Sequence, residues 1–153
     1  MRTGRIPPDS DTTVDADQAG LDCQRYVELV DMVRGDEGRE VFDALLASMQ
    51  VPEDYEVYES TVRVLRHFKT PDVGEWLYDA WDGLAQRSPE MARNLLNLLA
   101  RGSFGHGAIT RFNQAWGAAD TRHKANMLEK VLEEEADGWL DTPAARAKLR
   151  PLD

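Results

Sequence analysis

The chain has 153 residues, a single cysteine and a formal net charge of −10. That length suits one domain with a core of its own. The lone Cys23 excludes an internal disulfide, and the acidic balance argues against direct nucleic-acid contact, which needs a basic footprint.

Residues 1–20 carry Gly4, Pro7, Pro8, Asp9, Asp11, Asp15, Asp17 and Gly20 with little apolar matter, so they are expected to form a disordered tail ahead of a single all-helical domain over 21–153. The basic residues of this tail are not followed by an apolar segment, and no run nears the ~20 apolar residues of a membrane span; the expected setting is cytoplasmic, away from the membrane. From Leu21 the pattern becomes periodic. Leu21, Tyr26, Leu29, Val30 and Val33 recur at helical spacing until Gly35-Asp36-Glu37-Gly38, and Val41, Phe42, Leu45, Leu46 and Met49 form a second stripe over 40–50.

Three proline–acid pairs then mark helix starts, at Pro52-Glu53, Pro71-Asp72 and Pro89-Glu90, the last two preceded by Thr70 and Ser88. A hydroxyl caps free backbone N–H groups, proline at the first helical position sacrifices no needed donor, and an acid suits the positive helix end. The spacing predicts helices near 53–68, 71–87 and 89–101, the last stopped by Gly102. Ile109, Phe112 and Trp116 predict another over 106–117, Asp120 caps a longer one running to Gly138, and Thr142-Pro143 opens a short final helix. No alternating apolar pattern or hairpin dipeptide competes. The expected architecture is all-α: antiparallel helical hairpins arranged as a short HEAT-like solenoid or an irregular helical bundle.

The helix opened by Thr70-Pro71 stands out chemically. Val73, Trp76, Leu77, Ala80 and Leu84 fall on one side as a core face, while Asp72, Glu75, Asp79 and Asp82 fall on the other, extended by Gln86. No Lys or Arg lies three or four residues along to neutralise them within the helix. Tyr78 and Trp81 border this stripe. The ordinary reading is a charged, solvated face; the functional one is an interface in which the acids steer a basic partner and the aromatics anchor it. A second acidic group, Glu129, Glu133, Glu134, Glu135 and Asp137, lies late in its helix, where Lys130 offsets part of it.

Catalysis is not expected. Exposed carboxylates at helical spacing have no reason to titrate near neutrality. His67, His106 and His123 are scattered, Cys23 has no partner thiol, and no metal or cofactor motif is present. Arg63, Arg66, His67 and Lys69 suit the negative end of a helix, and Phe112, Trp116 and Trp139 are read as packing residues.

Three segments carry a family likeness: Tyr58–Phe68 (YESTVRVLRHF), Ser88–Arg101 (SPEMARNLLNLLAR) and Lys124–Glu135 (KANMLEKVLEEE). With these, residues 55–137 resemble the small α-helical immunity proteins of bacterial polymorphic-toxin systems, in helix order and pattern. The resemblance implies a cytoplasmic, antitoxin-like protein that binds and blocks one cognate toxin domain with a basic surface, such as a nuclease. It carries no fixed set of functional residues. The residues offered for that contact are those of the acidic faces: Asp72, Glu75, Tyr78, Asp79, Trp81, Asp82, Glu133 and Glu134. A helical-repeat adaptor serving an unrelated complex is the alternative reading.

Overall fold

A computed structural model describes residues 16–49, 55–138, 140 and 149–152. The described chain is all-α. Its helices are α1 (Ala16–Asp31), α2 (Arg39–Ser48), α3 (Tyr55–Leu65), α4 (Val73–Arg87), α5 (Pro89–Ala100), α6 (Ala108–Ala118) and α7 (Thr121–Ala136), and no strand occurs among the described residues. None of these helices is long and apolar enough to cross a membrane. The expected tail over 1–15 and the short helix at Thr142-Pro143 lie outside the described residues, as does Trp139.

Contacts divide the chain into two compact units, Met1–Phe68 and Lys69–Asp153, where sequence alone suggests one domain. The first unit is built on α1, α2 and α3. Helix α1 begins at Ala16, five residues before the expected Leu21. Alanine is a strong helix former, and Gln18 donates to Asp22 one turn on at 2.9 Å, so local preference extends the helix ahead of the apolar stripe that starts at Leu21. The core holds Phe42, Leu46, Met49, Leu65 and Phe68, with Phe42 and Phe68 edge to face at 5.4 Å.

A polar contact is set into this packing. The Tyr26 hydroxyl meets the Ser48 hydroxyl at 2.7 Å and the hydroxyl of the fully buried Thr61. Burial pushes the Tyr26 phenol above its ordinary range. Gly35 turns the chain after α1 at φ 95°, where a Cβ would lie 2.5 Å from the His67 carbonyl carbon, so only glycine fits.

The second unit is organised by α4, which packs against both α5 and α6. Gly74 sets the α4–α6 approach: a Cβ there would sit 2.7 Å from Phe112 N and 2.8 Å from the Ala108 carbonyl carbon, and nearer still to that carbonyl's oxygen. Leu77, Leu84, Leu95, Leu96, Phe104, Phe112 and Trp116 fill the core around it. Trp116 donates its indole N–H to the Lys124 carbonyl at 3.1 Å, which ties α6 to α7. Residues 149–152 lie along α6, where Leu152 N–H donates to the Asn113 carbonyl at 3.0 Å. Gly117 leaves room for that crossing, since its Cβ would come within 2.6 Å of the Leu152 carbonyl carbon.

The start signals act differently from one helix to the next. Asp120 caps α7 as expected, accepting from His123 N–H at 2.9 Å. Pro89 opens α5, but the buried Ser88 hydroxyl makes no capping bond. The expected Thr70 cap is displaced. Helix α4 starts at Val73, after a tight turn in which Val73 and Gly74 N–H donate to the Thr70 and Pro71 carbonyls. The Thr70 hydroxyl accepts from Asp72 N–H within that turn, because Pro71 cannot donate and the chain tightens before the helix begins.

Candidate binding surface on α4

The register of α4 follows from what it packs against. Val73, Leu77, Trp81 and Leu84 are buried, which turns Glu75, Asp79 and Asp82 outward. Three of the four carboxylates read from the sequence therefore share an exposed face. Asp72 is half-buried at the helix start and meets Arg111 of α6 at 3.6 Å.

The aromatic flank is half of what the sequence suggests. Trp81 is only 6% exposed, so it belongs to the core and not to the rim of the acidic face. It falls four residues after Leu77 and three before Leu84, on the buried stripe, while Trp76 and Ala80 sit at the half-exposed edge. Tyr78 remains at the surface. Its ring stands edge to face on Phe112 at 5.5 Å, which fixes its position. Partial burial, then the nearby Asp82, Asp120 and Asp79 charges, raise its phenol above the ordinary range, so it stays a neutral donor.

Glu75, Tyr78 and Asp79 form one wall of an open groove of about 470 Å³ between α4 and α6. Arg111, Gln114, Ala115, Ala118 and Ala119 complete it. The small side chains of α6 leave the space, and the carboxylates and the phenol oxygen offer acceptors to a cationic group. Among the described residues Arg111 is the one cation lining this groove. Its part was invisible within α4 alone, since it comes from α6. Beside the groove, His123 donates from Nδ1 to the Asp120 carboxylate at 2.7 Å and brings Nε2 to 3.9 Å from Asp82. The Asp120 carboxyl lies below the usual carboxylate range, because it accepts from the His123 N–H and the His123 ring.

The second acidic group divides differently. Glu134 is 7% exposed and pairs with Arg93 at 2.7 Å, so it fastens α7 to α5 and is not available to a partner. Asp137 also reaches Arg93, at 3.4 Å. Glu135 pairs with Arg150 at 2.8 Å. Glu133 stays exposed but is matched by Lys130 at 2.6 Å, which holds the Lys130 ammonium above its ordinary range. This cluster is largely neutralised by cations that come from other elements, leaving α4 as the face with exposed carboxylates in a concave setting.

Among the described residues no group of three His, Cys, Asp or Glu side chains is placed to hold a metal ion. The expected site residues thus separate into Glu75, Tyr78, Asp79 and Asp82, which gather on one surface, Asp72 at its paired edge, Glu133 on α7, and the buried Trp81 and Glu134. Compared with family models, curated proteins and solved structures, the chain matches none.

Proposed function

We propose that this chain acts by binding a protein rather than by catalysis, as an immunity-type protein that neutralises a cognate toxin domain through the α4 face. The alignment of Glu75, Tyr78 and Asp79 along one open groove carries the reading. Exposed acids at the mouth of a concave surface attract a basic partner over distance, and a ring fixed by Phe112 gives that partner a rigid surface to seat on. A cytoplasmic setting and a nuclease-like basic active-site surface on the partner accompany this reading.

Co-expression with the product of the neighbouring gene tests the proposal. A stable complex and rescue of growth are expected. The double reversal Glu75→Lys with Asp79→Lys should slow association about tenfold or more at low salt while the helical content stays unchanged. A double variant that binds and protects like the parent overturns the role of α4, and the absence of any complex overturns the immunity reading.

A further inference from the structure

The outer side of α7 carries an exposed apolar stripe apart from the residues that line the α4 groove. The inward stripe of this helix is Met127, Val131 and Glu134. One residue along, Thr121, Ala125, Leu128 and Leu132 form another stripe, and all four are exposed. Leu128 is 38% and Leu132 50% exposed, which is unusual for leucines aligned on one helix face. The spacing of four, three and four residues is the seam of a helix pair, large at 128 and 132 and small at 121 and 125.

The charges beside this seam say what it pairs with. Arg122 and Glu129 are seven residues apart, so they occupy the same flank, and both are exposed. Neither forms an ion pair with another described residue. On the opposite flank Val131 is buried and Lys124 half-buried, so only the Arg122–Glu129 flank is open. When two helices meet antiparallel, like flanks face each other. A second α7 would then set its Glu129 against Arg122 and its Arg122 against Glu129, two reciprocal pairs about a twofold axis. Reversed helix directions also oppose the macrodipoles favourably. Parallel pairing would need the flank that is buried.

We infer that α7 is a homodimer contact, in which two copies of this chain pair antiparallel through Leu128 and Leu132 with reciprocal Arg122–Glu129 ion pairs. A seam of four residues per copy is small for a stable interface, so the association is weak: monomer at about 1 µM and substantially dimeric by about 1 mM.

Sedimentation equilibrium of the full chain across that range tests it, with circular dichroism confirming that each variant keeps its helices. Leu132→Glu should leave only monomer. Arg122→Glu alone, or Glu129→Arg alone, places like charges together twice and should weaken dimerisation about tenfold. The combined swap, Arg122→Glu with Glu129→Arg, should restore it, which no general loss of folding could imitate. Monomer mass throughout the range overturns the inference. So does a dimer indifferent to Leu132→Glu, which would place the contact elsewhere, and so does a swap that fails to restore what either single reversal removes.

Discussion

Helix α4 contains two glycines whose replacement by alanine should have opposite effects. In an unconstrained helix interior, Gly→Ala stabilises by about 1 kcal/mol, because glycine loses more backbone freedom on folding. Gly83 meets only the flexible guanidinium of Arg87, 3.0 Å from where its Cβ would lie, so Gly83→Ala should show most of that gain. At Gly74 the new methyl would meet the backbone of α6, 2.7 Å from Phe112 N, where ordinary contact begins at 3.4 Å. Backbone cannot rotate aside, so α4 and α6 must separate, loosening Val73, Leu77 and Phe112 together. Overpacking against rigid backbone falls at the upper end of the usual range, about 3 kcal/mol, leaving a net loss of roughly 2 kcal/mol after the propensity gain. All four tryptophans lie after residue 69, so their fluorescence during urea unfolding reports on the second unit alone. If Gly74→Ala unfolds at the same urea concentration as the parent, or a higher one, the close α4–α6 approach is wrong.

Three further outcomes are expected. Tyr26→Phe should destabilise the first unit by about 1 kcal/mol at neutral pH through its lost hydroxyl contacts. Because the folded-state phenol is raised above 10.0, the parent's stability should fall as pH climbs beyond that value, and thermal melts of Tyr26→Phe should show a shallower alkaline limb, with the raised Tyr78 phenol supplying the remainder. Asp120 has a lowered folded-state pKa, so its contribution is present above 3.8 and fades as pH falls through the folded value; in acid titrations followed by melting, Asp120→Ala should flatten that part of the curve. Arg93→Met leaves the buried Glu134 carboxylate unmatched and should cost about 3 kcal/mol, whereas Lys130→Met, which removes an exposed pair, should change the unfolding midpoint little.

Much of the helical pattern was legible because stripes such as Phe42–Leu45–Leu46–Met49 repeat at a period that only a helix satisfies. The start of α1 was not, since residues 16–20 show no apolar periodicity in sequence and only Ala16 and Ala19 favour helix strongly. On α4 the acidic face was readable from spacing, yet the choice between Trp76 and Trp81 as the core aromatic was not. A single helix defines an apolar arc about 100° wide, and both tryptophans border it; the crossing at Gly74, which depends on α6, selects Trp81. The same reason hid the counter-ions. Arg111, Arg93 and Arg150 neutralise carboxylates on other elements, and a search confined to neighbours three or four residues away cannot see them. Glu133, Glu134 and Glu135 look alike in sequence and have three different environments.

One residue, Ser88, joins α4 to α5, and it is buried. A connection this short has no slack: α4 cannot slide or tilt without taking α5 with it, and its other end is held by the glycine contact with α6. The surface that α4 offers is therefore in place before anything arrives. Under the proposed binding role little chain entropy would remain to be lost on docking, and amide exchange in α4 should be slow in the isolated protein and change only modestly when the face is covered. Lengthening the joint by two glycines after Ser88 would release that constraint, converting a rigid template into one that must be ordered by whatever it meets.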